Sequence, residues 1–168
     1  GIAGREGTCV SKPIQASIIV SSYNYGPYLR EAIDSALGQT YPHVEVIVVD
    51  DGSIDNSREI IAAYGSRIIP ILKRNGGQAS ALNAGFPVSR GEALLFLDSD
   101  DVLLPTAVGR AVACFRDPNV VKVHWPLVAV DEHGSKTGRL IPEGDLPEGD
   151  LREGGAAAAD GPSFSTPT

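Results

Sequence analysis

Three short apolar runs, each closing on a polar cluster, constrain this chain more than any other feature: ASIIVSS at 16–22, VEVIVVDD at 44–51 and ALLFLDSDD at 93–101. Runs rich in Val, Ile and Leu are what strands covered on both faces look like. Between the first two, apolar positions recur at helical spacing. Leu29, Ala32, Ile33, Ala36 and Leu37 step by three and four and so share one helix face. Continued from Ala16 to about Val130, this alternation predicts an α/β fold with a mostly parallel sheet sandwiched by helices.

Local signals set the expected boundaries. Thr40-Tyr41-Pro42 ends the first helix, and a second, from Asn56 to Tyr64, stops at Gly65, where a left-handed residue is easily placed. Ile68 to Leu72 reads as a strand, but Pro70 removes a ladder donor and moves it to the sheet edge. A short helix from Gln78 to Ala84 follows Asn75-Gly76-Gly77. Pro105 reads as the opening of a helix that reaches Phe115, since the first helical turn tolerates proline. Val120 to Trp125 and Leu127 to Val130 read as further strands, with a turn at 131–134.

The expected organisation is a leader at 1–15, one domain at 16–141, and a loose Gly/Pro/Ala-rich extension at 142–168. In that last stretch Glu-Gly-Asp occurs at 143–145 and again at 148–150, and Gly154-Gly155 precedes four alanines. So little apolar surface does not offset the entropy of ordering. The whole chain, 168 residues with 42% hydrophobic, is enough for one domain with a core.

Charge narrows the partners. Lys and Arg total 14 against 21 Asp and Glu, a formal net charge of -7. Nucleic acid is therefore not an expected partner, because phosphate neutralisation needs clustered cations. A small phosphate ligand stays compatible where a metal bridges it. No run approaches the roughly eighteen apolar residues of a membrane span, and residues 1–15 lack a basic-then-apolar signal. The expected location is the cytoplasm, the inner membrane face included as a peripheral position. Cys9 and Cys114 stand apart from each other and from the three histidines, which points away from a disulfide framework or a zinc site.

In open α/β sheets ligands gather at the carboxyl ends of the strands. Ser21 to Asn24, Asp50 to Ser53 and Asp98 to Asp101 fall there. If strand geometry persists past residue 97, Asp98 and Asp100 project from one face and Ser99 from the other, with Asp101 capping the following turn. Two adjacent carboxylates repel, and a hard divalent cation, Mg²⁺ or Mn²⁺, removes the conflict while leaving room for a diphosphate. The plainer alternative is that Asp-Ser-Asp ends a strand and begins a turn. Asp50-Asp51 is either a solvated turn or an acceptor for a base N–H or ribose hydroxyls. Ser21, Ser22 and Tyr23 contact a nucleobase or hold their own loop. Asn75-Gly76-Gly77 admits close backbone approach to a ligand or simply turns. His124 and Trp125 contact a sugar or pack in a strand.

Taken in order, SIIVSSYNYGPYLREAIDSALGQTYPHVEVIVVDDGSIDNS, RNGGQASALNAG and GEALLFLDSDDVLLP resemble the inverting family 2 glycosyltransferases. The donor half of that family has the GT-A fold, a Rossmann-like arrangement for nucleotide-diphospho-sugars. The resemblance covers roughly Ala16 to Pro105. It implies that Ser21 and Tyr23 line the nucleobase pocket, that Asp51 recognises the base, and that Asn75, Gly77 and Asn83 close over nucleotide and sugar. It implies further that Asp98 and Asp100 are the ends of a DxD motif, Asp98 near the ribose and Asp100 on the metal, Mn²⁺ or Mg²⁺. The implied partner is a nucleotide-diphosphate sugar, most commonly a UDP-sugar, with an acceptor that the sequence does not name.

One departure shapes the expectation. Neither the acidic general base of the family's later acceptor-binding half nor its Gln-x-x-Arg-Trp motif is recognisable, so no catalytic residue is assigned. The chain reads as a truncated or proteolysed donor-binding domain, whose closing Pro-Ser-Phe-Ser-Thr-Pro-Thr looks like the approach to that half. Two rival readings exist. LLFLDSDDVLL also fits the first motif of haloacid-dehalogenase-like phosphatases, with Asp98 as nucleophile and Asp100 as acid/base, although the partners that chemistry needs are missing. A non-catalytic metal- or nucleotide-binding α/β module, like a response-regulator receiver, needs a Lys after a later strand, and Lys122 falls inside one.

Overall fold

The structure, a computed structural model, describes residues 12–131, 135–141 and 163–165. It divides into two compact units, Gly1–Leu104 and Pro105–Thr168.

The first unit is built on strands β1 (Ala16–Ser22), β2 (Val44–Asp50), β3 (Ile69–Leu72) and β4 (Ala93–Asp98), with helices α1 (Gly26–Leu37), α2 (Ser57–Ala63) and α3 (Gln78–Gly85) between them. All strand pairs are parallel, in the order β3-β2-β1-β4. The chain steps outward from β1 to β3 and then returns to the far side of β1. Strand order therefore reverses between β1 and β4, the position where α/β sheets open a crevice. Right-handed crossovers put α1 and α2 on one face and α3 on the other.

Each face is sealed by the apolar runs. Ile19, Ile47 and Val49 pack with Ala81 of α3, and Ile69, Ile71 and Leu82 surround them. A Cβ at Gly85 would stand 2.7 Å from Ile19 Cγ2, so α3 lies this close to the sheet because residue 85 has no side chain. By the period of two, the fully buried Val20 and Val48 project to the opposite face, the side of α1 with its buried Leu29, Ile33 and Ala36.

Boundaries differ from the expected ones for local reasons. α1 stops at Leu37 because Gly38 leaves helical geometry, at φ −81° and ψ 10°, although its N–H still returns to Asp34 O, before Thr40-Tyr41-Pro42 is reached. Gly65 is left-handed, φ +56°, but the chain then makes a single 3-10 turn over Gly65–Arg67. β3 lies on the edge, as the missing N–H of Pro70 requires, with Pro70 opposite Val48.

In the second unit α4 (Ala107–Cys114) begins after Thr106, which places Pro105 just outside the helix rather than in its first turn. β5 (Lys122–His124), shorter than the expected 120–125, pairs antiparallel with β8 (Ser163–Ser165). β6 (Leu127–Val130) pairs antiparallel with β7 (Lys136–Ile141). The expected leader, apart from 12–15, and the expected extension, apart from 163–165, lie outside the described residues, as does Cys9. Cys114 is a free thiol. No described helix is long and apolar enough to cross a membrane.

Candidate functional site

Register alone brings the polar clusters together. Ser21 of β1 is paired with Asp98 of β4, and Ser22 with Asp50 of β2. Ile19 and Val49 face α3, so two residues further on Ser21 and Asp51 lean to the same side. The loop 73–77 and the first residue of α3 arrive there as well.

Asp51 is buried and its carboxylate is fully engaged. Oδ1 accepts from the Gly76 N–H at 3.0 Å and from the Lys73 ammonium, and Oδ2 accepts from the Gly77 N–H at 2.7 Å. Burial alone pushes this carboxyl up; Lys73 and the two amides outweigh it and hold it below its ordinary 3.8. Gly77 takes φ +85°, a left-handed value that glycine reaches without strain. A Cβ on Gly52 would stand 2.5 Å from Asn75 N, so the 50–53 turn and the 73–77 loop touch backbone to backbone.

Asp50 has a different task. It is fully buried, accepts from Arg58 Nε at 2.7 Å and from the Ser53 N–H at 3.2 Å, while Arg58 Nη2 reaches Lys73 O at 3.3 Å. This pair ties α2 to the ends of β2 and β3. The loop after β1 is bolted down too. Asn24 N–H donates to Ser53 Oγ at 2.9 Å, Ile54 N–H to Asn24 Oδ1 at 2.8 Å, and Gly26 N–H to Asp55 Oδ2 at 2.9 Å. Tyr23, at the tip, is 47% exposed.

Asp98 is exposed at the end of β4. Its Oδ1 accepts from Ser21 Oγ at 3.1 Å and from Gln78 Nε2 at 2.7 Å, and its Oδ2 receives no hydrogen bond among the described residues. The Asp101 N–H then returns to Asp98 O at 3.1 Å and closes a turn. Within it Ser99 is buried and Asp100 exposed. The next helix has Thr106 as its N-cap, and the turn cap expected of Asp101 is not formed. Its half-buried carboxyl has no hydrogen bond among the described residues. Burial first, then the charges of Asp100 and Asp98, raise its pKa.

The structure thus brings together Ser21, Asp51, Gly77 and Asp98. Asn75 is exposed, its backbone against Gly52. Asn83 is exposed on α3, about 7–8 Å along the helix axis from Gln78, and no hydrogen bond joins it to the carboxylates. Sequence reasoning missed Gln78 and Lys73. The available signal was their place, immediately around the Gly76-Gly77 turn on the carboxyl side of the sheet.

The open Oδ2 of Asp98 and the carboxylate of Asp100, which makes no hydrogen bond among the described residues, suit a hard divalent cation. No cluster of three or more His, Cys, Asp or Glu closes around a metal among the described residues. A cation held here would take one or two protein carboxylates and complete its shell with ligand oxygens and water. A hollow of about 180 Å³ between Leu37, Tyr41, Val44 and Arg67 lies at the opposite, amino end of the strands and holds no carboxylate.

The sequence model of glycosyl transferase family 2 matches residues 17–161. The chain belongs to this family. An uncharacterized glycosyltransferase of Nostoc sp. is 43% identical over 122 residues, which make up 70% of this chain and 38% of that protein. Glycosyltransferase GlyG of Streptococcus pneumoniae is 44% identical over 52% of this chain and 30% of its own length. The chain spans about a third of the length of these relatives. Among solved structures, S. aureus TarS in complex with UDP-GlcNAc shares 32% identity with a TM-score of 0.55 over 63% of this chain and 32% of its own. A Pyrobaculum calidifontis mannosyltransferase in complex with GDP-Man and Mn²⁺ shares 28% with a TM-score of 0.58 over 66% of this chain and 34% of its own. The parallel four-stranded sheet flanked by helices is the GT-A arrangement. Membership in this family leaves no place for the phosphatase or receiver readings of Asp98.

Proposed function

We propose that these residues form the donor-binding part of an inverting glycosyltransferase, which takes a nucleotide-diphosphate sugar, in the first instance a UDP-sugar, together with Mn²⁺ or Mg²⁺. One observation carries this reading. At the point where strand order reverses, Asp98 is held by one oxygen with the other left open, and Asp100 stands exposed two residues on. The nucleotide-sugar complexes of TarS and of the mannosyltransferase support it.

In this reading Asp98 and Asp100 are the ends of the DxD motif and hold the cation, which when bound supplies Lewis-acid neutralisation of the leaving diphosphate. Ser21 orients Asp98 from below. Tyr23 and Asp51 form the base side, and Asn75, Gly77 and Asn83 the side of the nucleotide and sugar. Asp51 has three donors for about four acceptor sites, but it is buried, so a base N–H gains room if one donor yields. The Lys73 ammonium has an alternative acceptor in Arg74 O at 2.7 Å and is the donor best able to do so. No described residue is assigned as general base, whose help is worth roughly 10²- to 10⁴-fold. These residues therefore account for donor binding, and transfer to an acceptor belongs to the whole enzyme. A cytoplasmic location is part of the same proposal, because activated nucleotide sugars are intracellular metabolites.

The test is a thermal-shift panel of UDP, GDP and UDP-sugars with and without Mn²⁺. Ligand at 100 times its Kd adds about 2.7 kcal/mol, hence several degrees in Tm for a chain of this size. If no nucleotide moves Tm with Mn²⁺ present, the reading is wrong.

A further inference from the structure

We propose that Gln78 is a positioning residue that sets the orientation of the Asp98 carboxylate for the cation. The inference rests on the donor-site reading above. Two donors converge on one oxygen of Asp98: the buried Ser21 hydroxyl at 3.1 Å, from the middle of the sheet, and the exposed Gln78 amide at 2.7 Å, from the start of α3. Held at Oδ1, the carboxylate presents Oδ2 outward. Ser21 alone holds it at the longer distance, and Asp100 and Asp101 lie close enough for their charges to repel it.

The chemistry of residue 78 fits this task. A neutral amide donates to the carboxylate without cancelling its charge, so the attraction for a cation is kept. A carboxylate at 78 would repel Asp98, and an ammonium would compete with the metal. The side chain is also delivered from a fixed place. The Gly77 N–H is anchored on Asp51 Oδ2 at 2.7 Å, and the Ala81 N–H donates to Gly77 O at 3.0 Å as α3 begins. Two consecutive residues thereby hold carboxylates at the ends of β2 and β4, with β1 between them.

The experiment compares wild type with Gln78→Met, which keeps length and removes the donor, and Gln78→Glu, which keeps shape and inverts the interaction. UDP binding is measured by calorimetry with and without Mn²⁺, uridine binding without metal, and Tm for each protein. Both variants should lose about 3- to 10-fold in UDP affinity with Mn²⁺, the scale of one ordinary hydrogen bond, since residue 78 acts on the cation only through Asp98. Uridine affinity should stay within about twofold. Gln78→Glu should keep Tm close to that of wild type, because the gain of an acidic residue at a helix N-terminus offsets its repulsion from the exposed Asp98, so binding falls without a matching loss of stability. If wild type binds no UDP with Mn²⁺, the donor-site reading fails and this inference fails with it. If wild type binds and both variants keep their Mn²⁺-dependent affinity, or lose uridine and UDP equally together with Tm, Gln78 merely shapes the loop and the inference alone is overturned.

Discussion

Ser21 and Asp98 stand directly opposite each other across β1 and β4, and the serine hydroxyl donates to Asp98 Oδ1 at 3.1 Å. The hydroxyl of a residue first read as lining the nucleobase pocket is thus engaged by the first carboxylate of the Asp-Ser-Asp segment. Pairing register, rather than loop flexibility, sets that carboxylate in place.

Ser21→Ala removes this donor while Asp98, exposed to water, is left without an unsatisfied buried charge. The expected loss is about 0.5–1.5 kcal/mol, a fall in Tm of a few degrees by calorimetry. An unchanged Tm would mean that the contact contributes nothing to the folded state.

Gly52 and Gly65 separate two costs of adding a methyl group. Both are left-handed, at φ +83° and +56°, but a Cβ on Gly52 meets Asn75 N at 2.5 Å whereas one on Gly65 meets nothing within 4 Å. Gly65→Ala should cost about 1–2 kcal/mol, the left-handed penalty alone. Gly52→Ala should cost more, by about 1–3 kcal/mol of overpacking, and should weaken nucleotide binding by pushing the 73–77 loop away. Urea denaturation of the two variants checks the order.

Acid stability follows from Asp51 and Asp55, both held below their ordinary 3.8. Burial opposes the shift in each. It is outweighed at Asp51 by Lys73, Gly76 and Gly77, and at Asp55 by Ser57 and Gly26. A carboxyl with a lowered folded pKa contributes stability that is complete above its unfolded value and lost as pH falls through the folded one. Tm should therefore hold down to about pH 4 and drop below it. Asp51→Asn should lower Tm at neutral pH and flatten the acid limb. An acid limb of wild-type slope in that variant would remove Asp51 from the account.

Much of the fold was legible because burial on both faces demands uninterrupted apolar strands. Ile18, Ile19, Val48 and Val49 announce β1 and β2, and Pro70 announces an edge because it lacks a donor. The chain order of polar clusters after these strands also pointed to one end of the sheet. Less legible were the contacts that depend on which strand lies beside which. That Asp51 is filled by Lys73, Gly76 and Gly77 follows from the crossover of the 73–77 loop, and that Gln78 reaches Asp98 follows from β4 lying beside β1. Asp101 was expected to cap the following turn, but its side chain makes no hydrogen bond among the described residues, and the next helix starts six residues later, at Ala107.

The central claim is that Asp98 and Asp100 hold a divalent cation against the diphosphate of a nucleotide sugar. Its most direct measurement is isothermal calorimetry of UDP binding to wild type and Asp100→Asn, each with and without Mn²⁺. Wild type should bind at least tenfold tighter with Mn²⁺, about 1.4 kcal/mol or more, and Asp100→Asn should bind equally with and without the metal. An Asp100→Asn protein that keeps the full Mn²⁺ enhancement would contradict the account.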